Sequence, residues 1–363
     1  MTVRIAAVGY GDIAQRRHFP QLRALAGRAE LVAIAGRDAA RMADCAQRFG
    51  VARWSTDVAS VVTDPGVDAV LVLTAPDTHA AFAGMAVRAG KHVLVEKPLV
   101  PTLDEAARLA AVVRAVPTPV TFMALPFVET PDHVLAAQLI ARGAIGDVAA
   151  VECHRGHRGP THAGWFYSKA QAGGGVLSDL GIYHLTSIAT LFGPTVRLTA
   201  SLSTRFAART MDDGSVVTPD VEDSALVSLV LDSGVAANMH AHWNGSQPHT
   251  VTRARVLVIG REGSLYFGAP DGMVHLWRPG GGDARFGGEA GVFDGLPVRS
   301  FQVGEAGAPP SLVGEFVRRI ETKDFSTRSL DIQAHVLDII ARAYECADSG
   351  QPVAPRTRFE HAD

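Results

Sequence analysis

Short apolar runs alternate with amphipathic stretches along the first 123 residues of the chain. The amphipathic stretches have helical spacing, and two of them end on glycines that suit helix ends, Gly50 and Gly90. Buried strands that alternate with helices predict a parallel, doubly wound α/β sheet. The predicted strands are VRIAAV (3–8), LVAIAG (31–36), DAVLVLTA (68–75), HVLVEK (92–97) and TPVTFM (118–123).

The pattern changes after Met123. A helix-like stretch leads to several consecutive strands separated by turn residues, which predict an open, mostly antiparallel sheet. The glycine-rich residues 280–295 predict a surface loop, and two amphipathic segments near the end predict closing helices. We therefore expect an α/β protein with one domain over residues 1–123 and a second over 124–363.

Composition narrows the class of protein. The 363 residues are 47% hydrophobic, which is enough for two cores, and the net charge of −3 disfavours nucleic acid or an acidic membrane as partner. No apolar run reaches the roughly 18–20 residues that span a bilayer, and no signal peptide is predicted. The three cysteines, Cys45, Cys153 and Cys346, are far apart, which predicts a reduced, cytoplasmic setting.

A glycine-rich turn follows the first predicted strand. Gly9, Gly11 and Ala14 form a G-x-G-x-x-A pattern, with Asp12 and Ile13 inside it. Glycines permit a tight turn and a close approach of a pyrophosphate, and the N-terminus of the following helix attracts negative charge. The first domain is therefore predicted to bind a dinucleotide.

The end of the second predicted strand bears on the choice of cofactor. Gly36 stands where NAD-binding proteins place an acidic residue for the ribose hydroxyl, and Arg37 follows. A guanidinium suits a 2′-phosphate, so the sequence favours NADP, with NAD as the alternative. In another interpretation Arg37 is a solvated surface residue and Asp38 caps the next helix.

VEKPLV at 95–100, preceded by AGKHV, resembles the glucose–fructose oxidoreductase/inositol dehydrogenase/MocA (Gfo/Idh/MocA) family. The resemblance extends over nearly the whole chain. It implies a Rossmann domain followed by a substrate-binding α/β domain whose open sheet is commonly the oligomer interface. It also implies an NAD(P)-dependent oxidoreductase of a sugar, cyclitol or related polyol, and a homodimer or homotetramer. The other matching motifs are GYGDIA, TAPDTHA (74–80), RGAIGDV (142–148) and GGGVLSDLG (173–181).

The resemblance also implies residue roles. Lys97 matches the lysine beside the nicotinamide and the reacting oxygen, and Asp179 matches the family's aspartate after the glycines. Further positions matched on the cofactor side are Thr74, Pro76, His79, Glu96, Pro98 and Trp165.

The chain departs from the family pattern at three places. Position 183 is tyrosine where inositol-dehydrogenase-like members have a catalytic histidine, and His184 comes one residue later. Phe166 follows Trp165 where an arginine is common. Residues 123–130, MALPFVET, lack the usual Asn/Arg-bearing segment.

Helical geometry separates the two candidate proton carriers. At about 100° per residue, Tyr183 lies about 40° from Asp179, and His184 about 140°. We expect Lys97 to polarise the reacting oxygen, Tyr183 to exchange its proton and Asp179 to hold a substrate hydroxyl. A distortion at Gly181 would instead make His184 the acid–base residue, and either side chain is alternatively part of the core.

The histidines of ECHRGHRGPTH (152–162) match no established zinc spacing, so we expect no metal site. His157 is predicted to contact substrate. His240 and His242 alternate with Asn238 on one strand face. Two other functions remain open. One is a glycosidase that retains NAD for transient oxidation, elimination and re-reduction. The other is a non-catalytic dinucleotide sensor.

Overall fold

The computed structural model divides the chain into two compact units. The first unit contains residues 1–127 and 310–334, and the second contains 128–309 and 335–363. The predicted boundary at 123/124 lies close to the first limit, but residues 310–334 return to the first unit. The structure describes residues 2–124, 131–244, 255–268, 273–279, 284–293, 296–302 and 311–361.

The first unit is built on a parallel sheet of six strands in the order β3-β2-β1-β4-β5-β6. This order is that of a Rossmann domain and confirms the predicted parallel α/β class. The short edge strand β3 was not predicted. The strands are β1 (Val3–Val8), β2 (Ala29–Ala35), β3 (Trp54–Ser55), β4 (Ala69–Val72), β5 (His92–Val95) and β6 (Phe122–Met123).

Helices cover this sheet. Strand side chains such as Ile5 and Leu71 are fully buried and share one core with apolar residues of the helix Leu312–Glu321, among them Phe316. That shared core is the physical reason why residues 310–334 belong to the first unit. The helices of the unit are α1 (Phe19–Ala24), α2 (Ala39–Phe49), α3 (Val58–Val62), α4 (His79–Arg88) and α5 (Leu103–Ala115), with α9 (Leu312–Glu321) late in the chain.

The second unit contains a nine-stranded sheet in the order β16-β17-β15-β14-β13-β7-β12-β11-β8. Only the β7–β12 pair is parallel among the pairs described, so the predicted, mostly antiparallel sheet is confirmed. Its strands are β7 (Val148–Gly156), β8 (Thr195–Ser203), β11 (Ser224–Leu231), β12 (Ala236–His242), β13 (Arg255–Gly260), β14 (Ser264–Phe267), β15 (Met273–Trp277), β16 (Glu289–Phe293) and β17 (Leu296–Gln302). Strands β9 (Arg209–Thr210) and β10 (Val216–Val217) pair separately.

Two features of this unit differ from the sequence prediction or extend it. Strand β16 lies within the predicted loop 280–295, of which 280–283 and 294–295 are outside the described residues. Residues Leu177–Gly181 form a π-helical turn directly before α8 (Ile182–Phe192). The other helices are α6 (Pro131–Ala141), α7 (Lys169–Ala172) and α10 (Arg328–Ser349), which is shared between the units. Within the described parts of the chain, none of the helices has the length and apolar character needed to cross a bilayer.

Candidate functional site

The turn after β1 has the shape that the glycine pattern predicts. Gly9 has φ +101°, and a Cβ there would lie 2.6 Å from the carbonyl oxygen of Leu73, just beyond β4. Nothing lies within 4 Å of a Cβ built on Gly11, so that side of the turn is open. Ala14 is fully buried where the helix meets the sheet. These are the features of a cradle for a dinucleotide phosphate.

The first helical residues after this turn are exposed. Ile13 is 38% exposed, and the Asp12 carboxylate pairs with Arg16 at 3.2 Å. The helical path runs from Asp12 to Ala24 and includes a π-helical segment over Ala14–His18.

The end of β2 explains why residue 36 is glycine. A Cβ on Gly36 would overlap the ring of Tyr10, whose hydroxyl donates to the carbonyl oxygen of Asp38 at 3.1 Å. Asp38 caps α2 through the amide of Arg41. Arg37 is exposed, and among the described residues no carboxylate pairs with its guanidinium. The strand therefore ends in an available cation and no acid.

A buried histidine joins the loops after β4 and β5. His79 Nδ1 lies 2.9 Å from the carbonyl oxygen of Pro98, and its Nε2 lies 3.0 Å from that of Thr74. Burial lowers the pKa of His79, and a neutral ring can donate to only one of these oxygens at a time. The Thr74 and Thr78 hydroxyls share a hydrogen bond, and Pro76 begins the intervening 3-10 turn. These contacts tie the two loops together.

A second histidine fixes the residue before Lys97. His18 is fully buried, and its Nε2 donates to Glu96 Oε1 at 2.7 Å. The other oxygen, Oε2, accepts the backbone amide of Lys97 at 2.9 Å. Burial is the largest single influence and would raise the pKa of Glu96, but the hydrogen bond and electrostatic attraction of His18, the Lys97 amide and Arg17 together outweigh it, and the pKa falls to about 2. Glu96 is therefore an ionised carboxylate, and it anchors the backbone that carries Lys97.

In the second unit, the glycine-rich stretch packs against two distant side chains. A Cβ on Gly174 would overlap the Tyr344 hydroxyl, and one on Gly175 would overlap the backbone oxygen of Glu222. The Glu222 carboxylate accepts the amides of Gly175 and Leu177, at 3.1 and 2.9 Å, and the Tyr344 hydroxyl at 2.7 Å. A buried carboxylate thus satisfies amides at the start of the helix, where no residue of the same turn does so.

The helix that follows is not a regular α-helix through Asp179. Asp179 and Gly181 lie in the π-helical turn, which is closed by the bond from the Ile182 amide to the Leu177 carbonyl, five residues back. The count of 100° per residue that separated Tyr183 from His184 therefore does not describe this turn.

His184 points into the interior of the second unit. It is 1% exposed, and its Nε2 donates to the backbone oxygen of His154 at 3.1 Å. Burial lowers the pKa of His184 to about 3, so the ring is neutral at neutral pH. The His184 imidazole therefore has a structural contact, a hydrogen bond to the backbone of β7.

Tyr183 is half-buried beside a residue that the sequence analysis did not select. The guanidinium carbon of Arg155 lies 4.2 Å from the centre of the Tyr183 ring. Arg155 interacts electrostatically with both Tyr183 and Asp179. Arg155 follows the buried Val151 and Cys153 on one face of β7, and this alternation is the sequence signal that points it inward.

Other predicted contacts lie elsewhere in the second unit. His157 Nδ1 accepts the amide of Gly159 at 2.9 Å, which shapes a turn. Trp165 is 36% exposed and stacks on Phe166 with ring centres 3.8 Å apart. His154 Nε2 lies 3.1 Å from His242 Nε2, but the described residues include no group of three or more His, Cys, Asp or Glu arranged to hold a metal ion. The segment MALPFVET (123–130), which differs from the family pattern, lies outside the described residues from Leu125 onward.

Comparisons with known proteins agree with both units. Residues 3–122 match an oxidoreductase family with an NAD-binding Rossmann fold, and residues 133–266 match a GFO/IDH/MocA C-terminal domain. A dTDP-3,4-didehydro-2,6-dideoxy-alpha-D-glucose 3-reductase of Streptomyces violaceoruber is 31% identical over 76% of this chain and 80% of its own. A 1,5-anhydro-D-fructose reductase of Ensifer adhaerens is 30% identical over 72% of this chain and 74% of its own.

The fold also resembles a solved structure. A levoglucosan dehydrogenase in complex with NADH and levoglucosan superposes with a TM-score of 0.84 over 98% of this chain and 100% of its own, at 21% identity. At that identity the likeness establishes the fold.

Proposed function

Because this chain belongs to the Gfo/Idh/MocA oxidoreductase family, we propose that it transfers a hydride between NADP(H) and a hydroxyl or keto carbon of a sugar, cyclitol or related polyol. The chain is an oxidoreductase with a Rossmann domain for a nicotinamide cofactor. Support for a sugar comes from relatives named as reductases of an anhydrofructose and of a deoxy-sugar nucleotide.

The observation that carries the proposal is the anchored Lys97. In a parallel sheet the carboxyl ends of all strands meet at one edge, where α/β proteins bind their ligands. Gly9 follows β1 and Lys97 follows β5 at this edge. The ionised Glu96 holds the Lys97 amide, so the backbone that carries the Lys97 ammonium is anchored on the same edge as the dinucleotide cradle.

The proposed chemistry pairs a hydride with a proton. A bound nicotinamide supplies or accepts the hydride. We assign Lys97 the task of stabilising negative charge on the reacting oxygen, and Tyr183 that of exchanging the proton of this oxygen. Asp179 accepts a hydrogen bond from another substrate hydroxyl. His184, buried and neutral, acts through packing in this proposal.

The preference for NADP rests on the end of β2. An acidic residue would repel a 2′-phosphate. Position 36 cannot hold an acidic side chain, because the Tyr10 ring fills the space that the side chain would need. The exposed Arg37 offers two parallel N–H groups to a phosphate.

We also propose that the nine-stranded sheet binds a second copy of this chain. Leu226 lies on β11, an interior strand between β8 and β12, yet it is 49% exposed. An apolar side chain that is open to water on an interior strand is typical of an interface. The three cysteines are free thiols, which supports a reducing, cytoplasmic location.

The test is a screen of sugars, cyclitols and their keto derivatives with NADP(H) and NAD(H), followed by nicotinamide absorbance. We expect turnover with a polyhydroxylated substrate, faster with the phosphorylated cofactor. Glycoside cleavage with no net absorbance change would contradict the proposal, as would dinucleotide binding without turnover of any compound.

A further inference from the structure

We propose that Arg155 stabilises the phenolate form of Tyr183 and thereby prepares this tyrosine to exchange a proton. The inference rests on the role proposed above for Tyr183. It assigns a function to a residue that contacts the tyrosine and that neither the glycine-rich motif nor the Glu-Lys-Pro motif contains.

The geometry places a cation against the face of the ring. The guanidinium carbon of Arg155 lies 4.2 Å from the Tyr183 ring centre, well within the roughly 6 Å over which a cation and a ring attract each other. Both residues belong to the second unit, in which α8 packs on β7 and β12. Strand β7 is hydrogen-bonded on both sides, to β12 and β13, so Arg155 stands on an interior strand.

The burial of Arg155 requires compensation. Burial lowers the pKa of its guanidinium, and the negative charges of Tyr183 and Asp179 act in the opposite direction, with Tyr183 the stronger of the two. An electrostatic attraction is mutual. A phenolate that favours the charged arginine is itself favoured by that arginine.

Two neighbouring histidines, His184 and His154, supply no competing positive charge at neutral pH. Burial lowers the pKa of His184, next to Tyr183, to about 3, and that of His154, next to Arg155, to about 4. His133 is buried and contacts the same helix through Ser187. The Asp179 carboxylate opposes a second negative charge. Arg155 is a cation in direct contact with the Tyr183 ring.

The proton balance follows directly. In the oxidising direction the substrate hydroxyl gives its proton to the Tyr183 phenolate oxygen, and a bound nicotinamide would take the hydride from the same carbon. In the reducing direction the Tyr183 hydroxyl returns the proton to the substrate oxygen. Arg155 touches neither transferred atom. It is a positioning residue that changes how readily the phenol loses its proton.

The experiment is a pH titration of Tyr183 in the full-length protein without substrate. The protein has five tyrosines. Their ring carbons are labelled with ¹³C, and the Tyr183 signal is identified by its loss in Tyr183→Phe. We expect the Tyr183 signal of Arg155→Gln to titrate about one to three pH units above that of the wild type. Arg155→Lys retains the charge and should lie between them.

Arg255→Gln is the matched control. Arg255 on β13 is paired in register with His154, so it lies on the opposite face of the sheet from Arg155. It should leave the Tyr183 titration unchanged. Equal titration of Tyr183 in the wild type and in Arg155→Gln would overturn the inference. So would an equal shift in the Arg255→Gln control.

The titration needs no turnover, so its outcome is separate from that of the proposed function. Once a substrate is known, the pH at which oxidation begins should rise in Arg155→Gln, with activity recovered at higher pH. A full-rate Tyr183→Phe enzyme would refute the proton-transfer role of Tyr183, while the titration would still decide whether Arg155 stabilises the phenolate.

Discussion

The imidazole of His18 and the carboxylate of Glu96 meet 2.7 Å apart in the interior of the first unit, although 78 positions separate them in the chain. The carboxylate also accepts the amide of Lys97. The position of the Lys97 backbone therefore depends on the buried His18–Glu96 pair, and this dependence can be measured.

Glu96 should make the stability of the protein depend on pH. Its pKa is about 2 in the folded state against 4.5 ordinarily, so its stabilising contribution is present above pH 4.5 and is lost as pH falls towards 2. The full contribution is about 3 kcal/mol. Urea unfolding across this range should show a steep loss of unfolding free energy in the wild type and a shallower one in Glu96→Gln. Parallel profiles would contradict the pairing.

Lys97→Ala should abolish turnover and leave the fold intact. The substitution removes the charge that stabilises an oxyanion, whereas the anchoring contact of Glu96 is made to the backbone amide, which alanine retains. Lys323→Ala, which removes an exposed lysine of the same unit, is the matched control and should keep full activity. Circular dichroism checks the fold, and steady-state kinetics checks turnover.

Tyr183→Phe and His184→Asn should fail in different ways. Phenylalanine keeps the ring and deletes the proton carrier, so the rate should fall by about 100- to 10,000-fold with unchanged stability. His184→Asn disturbs a buried donor to the His154 carbonyl, so it should cost about 1–3 kcal/mol of unfolding free energy and little rate. The reverse ranking of rates would make His184 the acid–base residue.

Arg37→Ala should weaken NADP(H) binding by about 1–3 kcal/mol and leave NAD(H) binding nearly unchanged, because only NADP(H) carries the 2′-phosphate that the guanidinium would bind. Isothermal calorimetry measures both. Gly36→Asp alone should not produce tight NAD(H) binding, because the Tyr10 ring occupies the space of the new side chain. Tighter binding of NAD(H) than of NADP(H) by the wild type would refute the preference.

The protein should be a dimer or tetramer by light scattering at micromolar concentration. Leu226→Lys places a charge on the exposed sheet face and should lower the measured mass. Val216→Lys is the control, because Val216 is 65% exposed on β10, outside the nine-stranded sheet. A monomeric wild type would rule out this use of the sheet.

The buried strands of the first unit were predictable because a strand covered on both faces is apolar along its length, as β4 is and as β1 is apart from Arg4. Strand β3 has two residues and β16 is rich in small residues, so neither leaves a periodic signal. The amphipathic pattern of α9 predicts a helix, but it does not show that the apolar face of this helix packs in the core of the first unit.

Motifs located Lys97 and Asp179 in the sequence, but not the residues that support them. His18 and Glu222 act through contacts between distant parts of the chain, which local patterns do not encode. Arg155 was missed because an arginine is ordinarily read as a surface residue. Its place on β7, two positions after Cys153, was the available signal.

The stretch GGGVLSDLGIYHL (173–185) is not a portable module. Its second and third glycines are shaped to Tyr344 and to the backbone of Glu222, and the carboxylate of Glu222 holds the first amides of the helix. In another scaffold without Tyr344 and Glu222, the segment would lose the packing against its glycines and the carboxylate that caps its helix. A redesign of this enzyme for a new substrate must therefore change the stretch 173–185, Glu222 and Tyr344 together.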